Sequence, residues 1–485
     1  MRRLGAFLTA ASSKPALVML FLILAAPPIF EMSRLTPPGQ APDEPAHLVR
    51  AEGLLHGAVL AVRKYGFDSD SPTPVAVAGV KVNPGIARIV FNRPASAGGL
   101  FQTPLTDKPE LMRLTYHQPR LFITIDNTAQ YFAAAYLPAT AGLAIGLALH
   151  QPPLRCFHFA RYGMMLAYLL LGAAAIFCAP GGESIFLAIL FLPIPLFLAG
   201  TVSEDGVLIA AACLSAALFA RDPREHRYSR LAALLILTII LGAKAPYIPL
   251  AALALIPLAR SHFRTRLLQM FCVITPVLIW SGIIAAFVAV PFLRPPYHPG
   301  PLYTGDHNIL LNSTSVAKNL KILLAQPSRF VTMPAHLIAL AALQWSREII
   351  GILGTLQLQF PDPFYDKWWL ALGIAALGAA FPARTRAIAA RVTPATSLFI
   401  IAVIALTIWL IMIAMYLSWT DIGKAVIDGI QGRYFVLLLP FLALAIPRFS
   451  LRVPAIIPSL PALAMAAFDV YYLPERVWQN FTMVQ

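Results

Sequence analysis

Apolar runs recur near residues 16–33, 129–149, 161–178, 184–220, 231–243, 246–259, 267–291, 367–382, 395–417, 434–447 and 453–473, and the gaps between many of them carry arginine. Runs of this length form helices in lipid, where each backbone N–H and C=O must find its partner inside its own segment. Only 12% of the 485 residues are charged and 58% are hydrophobic, whereas soluble domains carry about a quarter charged residues. Too little polar surface remains to face water on all sides. The expected fold is all-α: a polytopic bundle of transmembrane helices.

The arginines set the expected threading. Arg155 and Arg161 share one gap, and Arg221, Arg224, Arg227 and Arg230 a second. Arg260, Arg264 and Arg266 fill a third, Arg384, Arg386 and Arg391 a fourth, Arg448 and Arg452 a fifth. The positive-inside rule puts all five gaps in the cytoplasm and the short gaps 179–183 and 244–245 outside. Run 184–220 is long enough for two crossings, but the pattern permits one. Pro193, Pro195 and TVSEDG (201–206) therefore predict a broken or re-entrant first half, with Ser203, Glu204 and Asp205 near the outer side. About eleven crossings result, N-terminus inside and C-terminus outside. The first run also has the basic start of a secretory signal, but it continues through Ile29 and Phe30 and no small-residue cleavage site follows.

Net charge +15 accords with basic cytoplasmic loops and anionic lipid. No zinc-finger spacing, RNP-like motif or basic–aromatic run supports a nucleic acid partner. Cys156, Cys178, Cys213 and Cys272 lie in or beside apolar runs, without ligand spacing, and read as small buried hydrophobes. The chain divides into a first span (1–33), an outer loop (34–128), a membrane core (129–291), a second outer loop (292–366) and C-terminal spans (367–485). The first loop has a helical start and a Pro/Gly/Ser-rich middle, SPTPVAVAGVKVNPG. The second holds PPYHPGPLYTGDHN and an amphipathic stretch around 316–350. Loops this long fold over something, here the outer mouth.

Directly after the first run stands PPGQAPDEPAHLVRA (37–51). Asp43 is placed to cap a juxtamembrane helix by accepting from its first free N–H groups, and Pro45 is tolerated in a first turn. On such a helix His47, Arg50 and Leu54 share a face with Asp43 at its head, and Leu48, Ala51 and Leu55 line the other. An interfacial helix with solvated charges is the plain reading. Carboxylate, base and cation together at a membrane exit are also what a phosphate-bearing lipid substrate requires. Further along, His117, Gln118 and Tyr131 approach the second run, and Lys244 stands alone between two short runs, where it must snorkel, pair or act. The stretch WTDIGKAVIDGIQGRYFVLLLP (419–440) puts Asp421, Lys424, Asp428, Gln431, Arg433 and Tyr434 just before a span. Gly432 reads as a tight turn ahead of Arg433, which either anchors the helix or binds phosphate.

PPGQAPDEPAHLVRA, HQP…YFAAAYLP, SED before a span, REIIGILGTLQLQFPDPFY (347–365) and IQGRYFVLLLP occur in the order found in a family of predicted membrane proteins, domain of unknown function 2142, which the chain resembles over most of its length. That family is similar to the GT-C class of membrane glycosyltransferases. The resemblance implies transfer of a sugar from a polyprenyl phosphate to an envelope glycan, lipid or protein, with inversion, at the outer face of a bacterial inner membrane. It makes Asp43 the base and Glu44 its neighbour or a metal ligand, with Lys244, Arg433 and Arg50 on the donor phosphate. His47, His117, Gln118, Asp205, Gln431 and Tyr434 would then meet substrate. A divalent metal would draw on Asp43, Glu44, His47 or His117, with no spacing to choose among them. Two departures stand out: Arg120, where an apolar residue or proline is usual, and the irregular run 184–220. The competing functions are a transporter or flippase of a lipid-linked sugar and a non-catalytic envelope-assembly protein. Against a transporter, the charges cluster at one face rather than at mid-membrane.

Overall fold

The computed structural model describes residues 8–66, 75–90, 111–222, 226–258, 262–290, 314–381, 392–449 and 451–482. PPYHPGPLYTGDHN and the basic residues Arg224, Arg260, Arg384, Arg386 and Arg391 lie outside them. The order is α1 (Lys14–Leu35), α2 (Glu44–Leu55), β1 (Val62–Gly66), β2 (Val75–Val82), α3 (Pro84–Val90), β3 (Leu121–Thr124), α4 (Leu137–Ala148), α5 (Pro153–Cys178), α6 (Glu183–Leu190), α7 (Pro193–Ala199) and α8 (Glu204–Phe219). Then come α9 (Arg227–Ala243), a 3₁₀ helix (Ala245–Leu255), α10 (Phe263–Phe287), α11 (Val316–Ala325), α12 (Arg329–Ile350), α13 (Asp362–Ala379), α14 (Pro394–Ser418), α15 (Arg433–Val436), α16 (Leu439–Leu442) and α17 (Ile456–Thr482).

Among the described residues five helices are long and apolar enough to cross a membrane, α1, α5, α10, α14 and α17, and α7 with α8 makes a sixth candidate bent by 118°. Pro193 and Pro195 open α7, and the bend falls at residues 200–203, inside the polar break expected from TVSEDG. The long helices expose Met19, Leu170, Leu278 and Leu398, as lipid contact requires.

Contacts sort the helix ends into two groups. At one end the Lys14 ammonium donates to the carbonyl oxygens of Phe177 (2.7 Å) and Ala179 (2.5 Å). At the other, Arg161 meets the last turn of α1 and the first of α2. The expected sides of two gaps are thereby corrected. Arg161 cannot lie across a membrane from Glu44, which it touches, and the 179–183 gap belongs with Lys14. The positive-inside rule misplaced them because a buried arginine and a solvated one look alike in sequence.

The run 129–149 forms no long span, only one of the short apolar helices, Ala133–Ala148. A 3₁₀ turn (Ala133–Tyr136) leads directly into the 12-residue α4, and together they rise about 26 Å, short of a ~30 Å hydrocarbon core. α4 packs on the first turns of α5, from Cys156 to Gly163. A Cβ on Gly142 would strike the carbonyl of Phe159, and one on Gly163 that of Pro138. Small residues let these two backbones touch.

The first loop contains strands, which an all-α reading did not foresee. β1, β2 and β3 form an antiparallel sheet in that order, with Arg63 opposite Ala78 and Val80 opposite Ile123. The segment VAVAGVKV is rich in β-branched valine, as strands are. Its flanking prolines and glycines disguise it as a linker. Val80 packs against Gly53, so the sheet roofs α2. The amphipathic stretch at 316–350 forms α11 and α12. Asn319 ties α11 to the end of α14 by donating to the carbonyls of Tyr416 and Thr420.

Candidate functional site

Asp43 heads α2 but does not cap it. Its backbone is left-handed, φ 57°, a conformation aspartate tolerates better than most residues. No first-turn N–H bonds its carboxylate. Instead Oδ2 accepts from Arg433 at 3.0 Å and Oδ1 from Asn127 at 3.3 Å. The expected cap is thus replaced by a long-range ion pair, because the left-handed turn aims the side chain off its own helix.

Arg433 continues the contact. Its Nη1 donates to Asp205 Oδ2 at 3.1 Å, and its Nε to Gln431 Oε1 at 2.5 Å. The other oxygen of Asp205 pairs with Lys244 at 2.9 Å, and Lys244 also meets Glu204 Oε1 at 2.9 Å. Glu204 Oε2 lies 2.9 Å from His47 Nδ1 and accepts from the Tyr136 hydroxyl at 3.2 Å. Acidic and basic side chains therefore alternate along Asp43, Arg433, Asp205, Lys244, Glu204 and His47. Four separate stretches supply the six side chains.

Each stretch is placed by a local device. Ser203 caps α8, accepting from the N–H of Asp205, and so fixes the two acids at a helix start, where negative charge is favoured. Lys244 ends α9 just before the 3₁₀ helix, its ammonium 4.6 Å from the Tyr131 ring centroid. Gly432 has ordinary helical angles, so it does not supply the tight turn expected ahead of Arg433; that turn falls at Gly429, φ 81°. Gly432 is needed for closeness: a Cβ would strike the Trp345 carbonyl of α12, and its N–H donates to Glu348. The Tyr434 ring lies 5.4 Å from the Arg433 guanidinium, and its carbonyl accepts from the Tyr247 hydroxyl. Lys424 is paired locally with Asp428 at 2.7 Å.

The site is dry at one end and open at the other. Glu204 is fully buried and the Arg433 side chain 3% exposed, while the Asp43 side chain remains 44% exposed. Burial pushes the Asp43 carboxyl upward, but Arg433, His47 and Lys244 outweigh it and hold the group below its ordinary value. Asp43 is therefore an ionised carboxylate within reach of water. The contacts named use three of the five N–H donors of Arg433 and two of the three of Lys244. Both cations keep donors for an incoming oxyanion.

Glu44 and Arg50 lie elsewhere, which corrects their expected roles. Glu44 is fully buried in a fork with Arg161: Nε to Oε1 at 2.8 Å and Nη2 to Oε2 at 2.6 Å. It also accepts from the N–H groups of Gly39 and Val202. Arg161 Nη1 donates to the carbonyls of Ser33 (2.6 Å) and Thr36 (2.7 Å). One buried pair thus joins α1, α2, α5 and the segment entering α8, so Glu44 cannot turn to a metal or substrate. Arg50 is buried and donates to the carbonyls of Ala58 (2.7 Å) and Val59 (2.6 Å), closing the loop after α2. His117 and Gln118 are exposed beyond α3, with His117 Nε2 3.0 Å from Thr115 Oγ1. The four metal candidates do not assemble. Among the described residues no three His, Cys, Asp or Glu side chains converge as a metal would need.

The profile of a family described as "Predicted membrane protein (DUF2142)" matches residues 30–442. The chain belongs to the DUF2142 family. The matched span runs from the end of α1 through α16 and contains every member of the charge chain. No curated protein and no solved structure matches. Within this DUF2142 chain, sequence reasoning did not assign site roles to Glu204, Tyr136, Asn127 or Arg161. Only Glu204 carried a signal, its place in the SED break.

Proposed function

We propose that this DUF2142 protein is a GT-C-like glycosyltransferase that moves a sugar from a polyprenyl phosphate to an envelope glycan, lipid or protein, with inversion, at the outer face of the bacterial cytoplasmic membrane. The observation that carries the reading is an ionised, solvent-reaching Asp43 beside two desolvated cations with unspent donors. The donor's tail stays in lipid while its phosphate reaches Arg433 and Lys244. Asp43 takes the proton of the acceptor hydroxyl as that oxygen attacks the anomeric carbon. The bond from that carbon to the phosphate oxygen breaks, and its electron pair leaves on the lipid phosphate. Arg433 and Lys244 stabilise the charge that develops there. Asp205 holds one cation on each oxygen and so fixes their spacing.

Eleven passages, N-terminus in the cytoplasm and C-terminus outside, complete the reading. They are α1, α5, α6 with α7, α8, α9, the 3₁₀ helix, α10, α13, α14, α15 through α16, and α17. Run 184–220 supplies two of them and run 129–149 none. This threading keeps Arg221, Arg230, Arg266 and Arg448 on the cytoplasmic side and spends Arg161 on Glu44.

The decisive assay combines purified protein, a polyprenyl-phosphate sugar and candidate acceptors. Release of polyprenyl phosphate supports the transferase. Movement of intact donor across liposomes makes the protein a transporter, and neither result leaves an assembly role. Two further outcomes follow. Asp43 must be ionised to accept a proton, so kcat/KM stays level at neutral pH and falls only as pH drops through a value below 3.8. An acidic limb centred above about pH 5, beyond the ordinary carboxylate range, assigns the base elsewhere. Glu348→Ala, which frees the turn before Arg433, lowers kcat/KM about tenfold, the loss of one charge-assisted hydrogen bond, and shifts the unfolding midpoint little. An unchanged kcat/KM would show that Arg433 needs no such support.

A further inference from the structure

His117 and Gln118 find no role at the charge chain, and the cavity beside them offers one. A pocket of about 240 Å³ opens between α2, α3, α4 and the segment before β3. Glu52, His56, Gln118 and Arg120 supply its polar wall, and Tyr116 and Leu143 part of its apolar one. Glu52 is 1% exposed. Its Oε1 lies 2.9 Å from His56 Nε2 and accepts from the Asn83 N–H at 3.2 Å, but Oε2 has no partner. A buried carboxylate oxygen left unpaired is costly unless a ligand's donor meets it. Asn83, by contrast, is spent on structure, holding the backbone of His117 and the N–H of Gly85.

We propose that this cavity is a saccharide-binding subsite, taking one neutral or amino-sugar ring through Glu52, His56, Gln118 and Arg120. The space is below the ~300–1,000 Å³ usual for drug-sized ligands and suits one ring. Carboxylate, imidazole, amide and guanidinium together offer the mixed donors and acceptors that vicinal hydroxyls need. Tyr116 and Leu143 offer apolar surface for the C–H faces of a sugar. Glu52 disfavours phosphate, since an anion would meet a buried carboxylate. Burial pushes the Glu52 carboxyl up, against the pull of His56, the Asn83 N–H and Arg120, so a hydroxyl or ammonium donor restores what burial removes.

Nine residues of helix separate Glu52 from Asp43, about 14 Å along the axis and half a turn around it. The ring held here is therefore not the one that reacts. It belongs to a remote unit of a longer glycan, which makes α2 a two-faced element with chemistry on one side and grip on the other. This last step rests on the transferase reading; the binding itself does not.

Saturation-transfer NMR on the intact protein in nanodiscs tests it, with glucose, glucosamine and N-acetylglucosamine as probes and inorganic phosphate as competitor. At least one sugar should show saturable millimolar binding that persists in Asp43→Asn and resists phosphate. Glu52→Gln, which keeps the shape, should weaken it at least tenfold, and Arg120→Ala, at an exposed position, several-fold. Absence of saturation transfer, equal binding by Glu52→Gln and Arg120→Ala, or displacement by phosphate overturns the subsite. Sugar binding without any transferase activity would keep the subsite and remove the proposed enzyme.

Discussion

Asp43→Asn is expected to lower sugar transfer by about 10²–10⁴-fold, the range in which a positioned general base contributes, with the protein still folded. Asparagine keeps the size of the side chain and one oxygen to accept from Arg433, giving up only the long 3.3 Å bond from Asn127. What it loses is the ability to take a proton. Stability should hold because Asp43 is the most solvent-exposed carboxylate of the charge chain, and exposed ion pairs contribute about 1 kcal/mol or less. Arg433 also retains Asp205 as a partner, so no cation is stranded. The measurement pairs single-turnover release of polyprenyl phosphate with the unfolding midpoint in detergent. Activity within tenfold of the parent would remove Asp43 from the role of base. Lost activity with a collapsed midpoint would make Asp43 a structural residue.

Arg161→Ala is expected to have the largest effect on stability, about 3–5 kcal/mol, the cost of leaving a buried charge without its partner. All of the hydrogen-bonding nitrogens of Arg161 are engaged, to Glu44 and to the carbonyls of Ser33, Thr36 and Pro37. Removing it strands Glu44 and the carbonyl oxygens of Ser33 and Thr36 among packed helices, while that of Pro37 keeps the Gln40 N–H. Glu44→Ala should do comparable harm from the other side. The double variant Glu44→Leu with Arg161→Met should recover part of the loss, because it leaves no unpaired charge. Reversible unfolding of the four proteins in mixed micelles measures these differences. A loss below about 1 kcal/mol for Arg161→Ala would mean that water reaches the site and that the fork is not dry. Activity should fall in both single variants without a change in the acidic limb of the pH profile, because the fork carries the backbone of Asp43 and not its proton.

Arg161 also shows where reading the sequence runs out. In one dimension it is a cation flanking an apolar run, and the positive-inside rule sends it to the cytoplasm. In three dimensions it is desolvated, paired and placed at the Asp43 end. The rule concerns solvated charges, and nothing in local sequence distinguishes a solvated arginine from a paired one. The same blindness made Glu44 and Arg50 look like site residues. Three turns of one helix present every side of α2, and burial selects which charges are structural. Asp43 and His47 turn toward the site, Glu44 and Arg50 into backbone carbonyls and N–H groups, Glu52 and His56 toward a different cavity.

By itself the sequence determined that the chain lives in lipid as a bundle of helices. Apolar length and scarcity of charge decide that irrespective of contacts. It also marked Asp43, Lys244 and Arg433 as notable, since an ionisable group beside a long apolar run must find a partner or a task. Partners were decided only by tertiary structure. Asp43 and Arg433 are 390 residues apart along the chain and 3.0 Å apart in space, and a pairing of that range depends on how the helices pack. Whether run 184–220 makes one leg or two, whether α4 spans or shelters, and which acid faces water are matters of the same kind, fixed by long-range packing that no local pattern encodes.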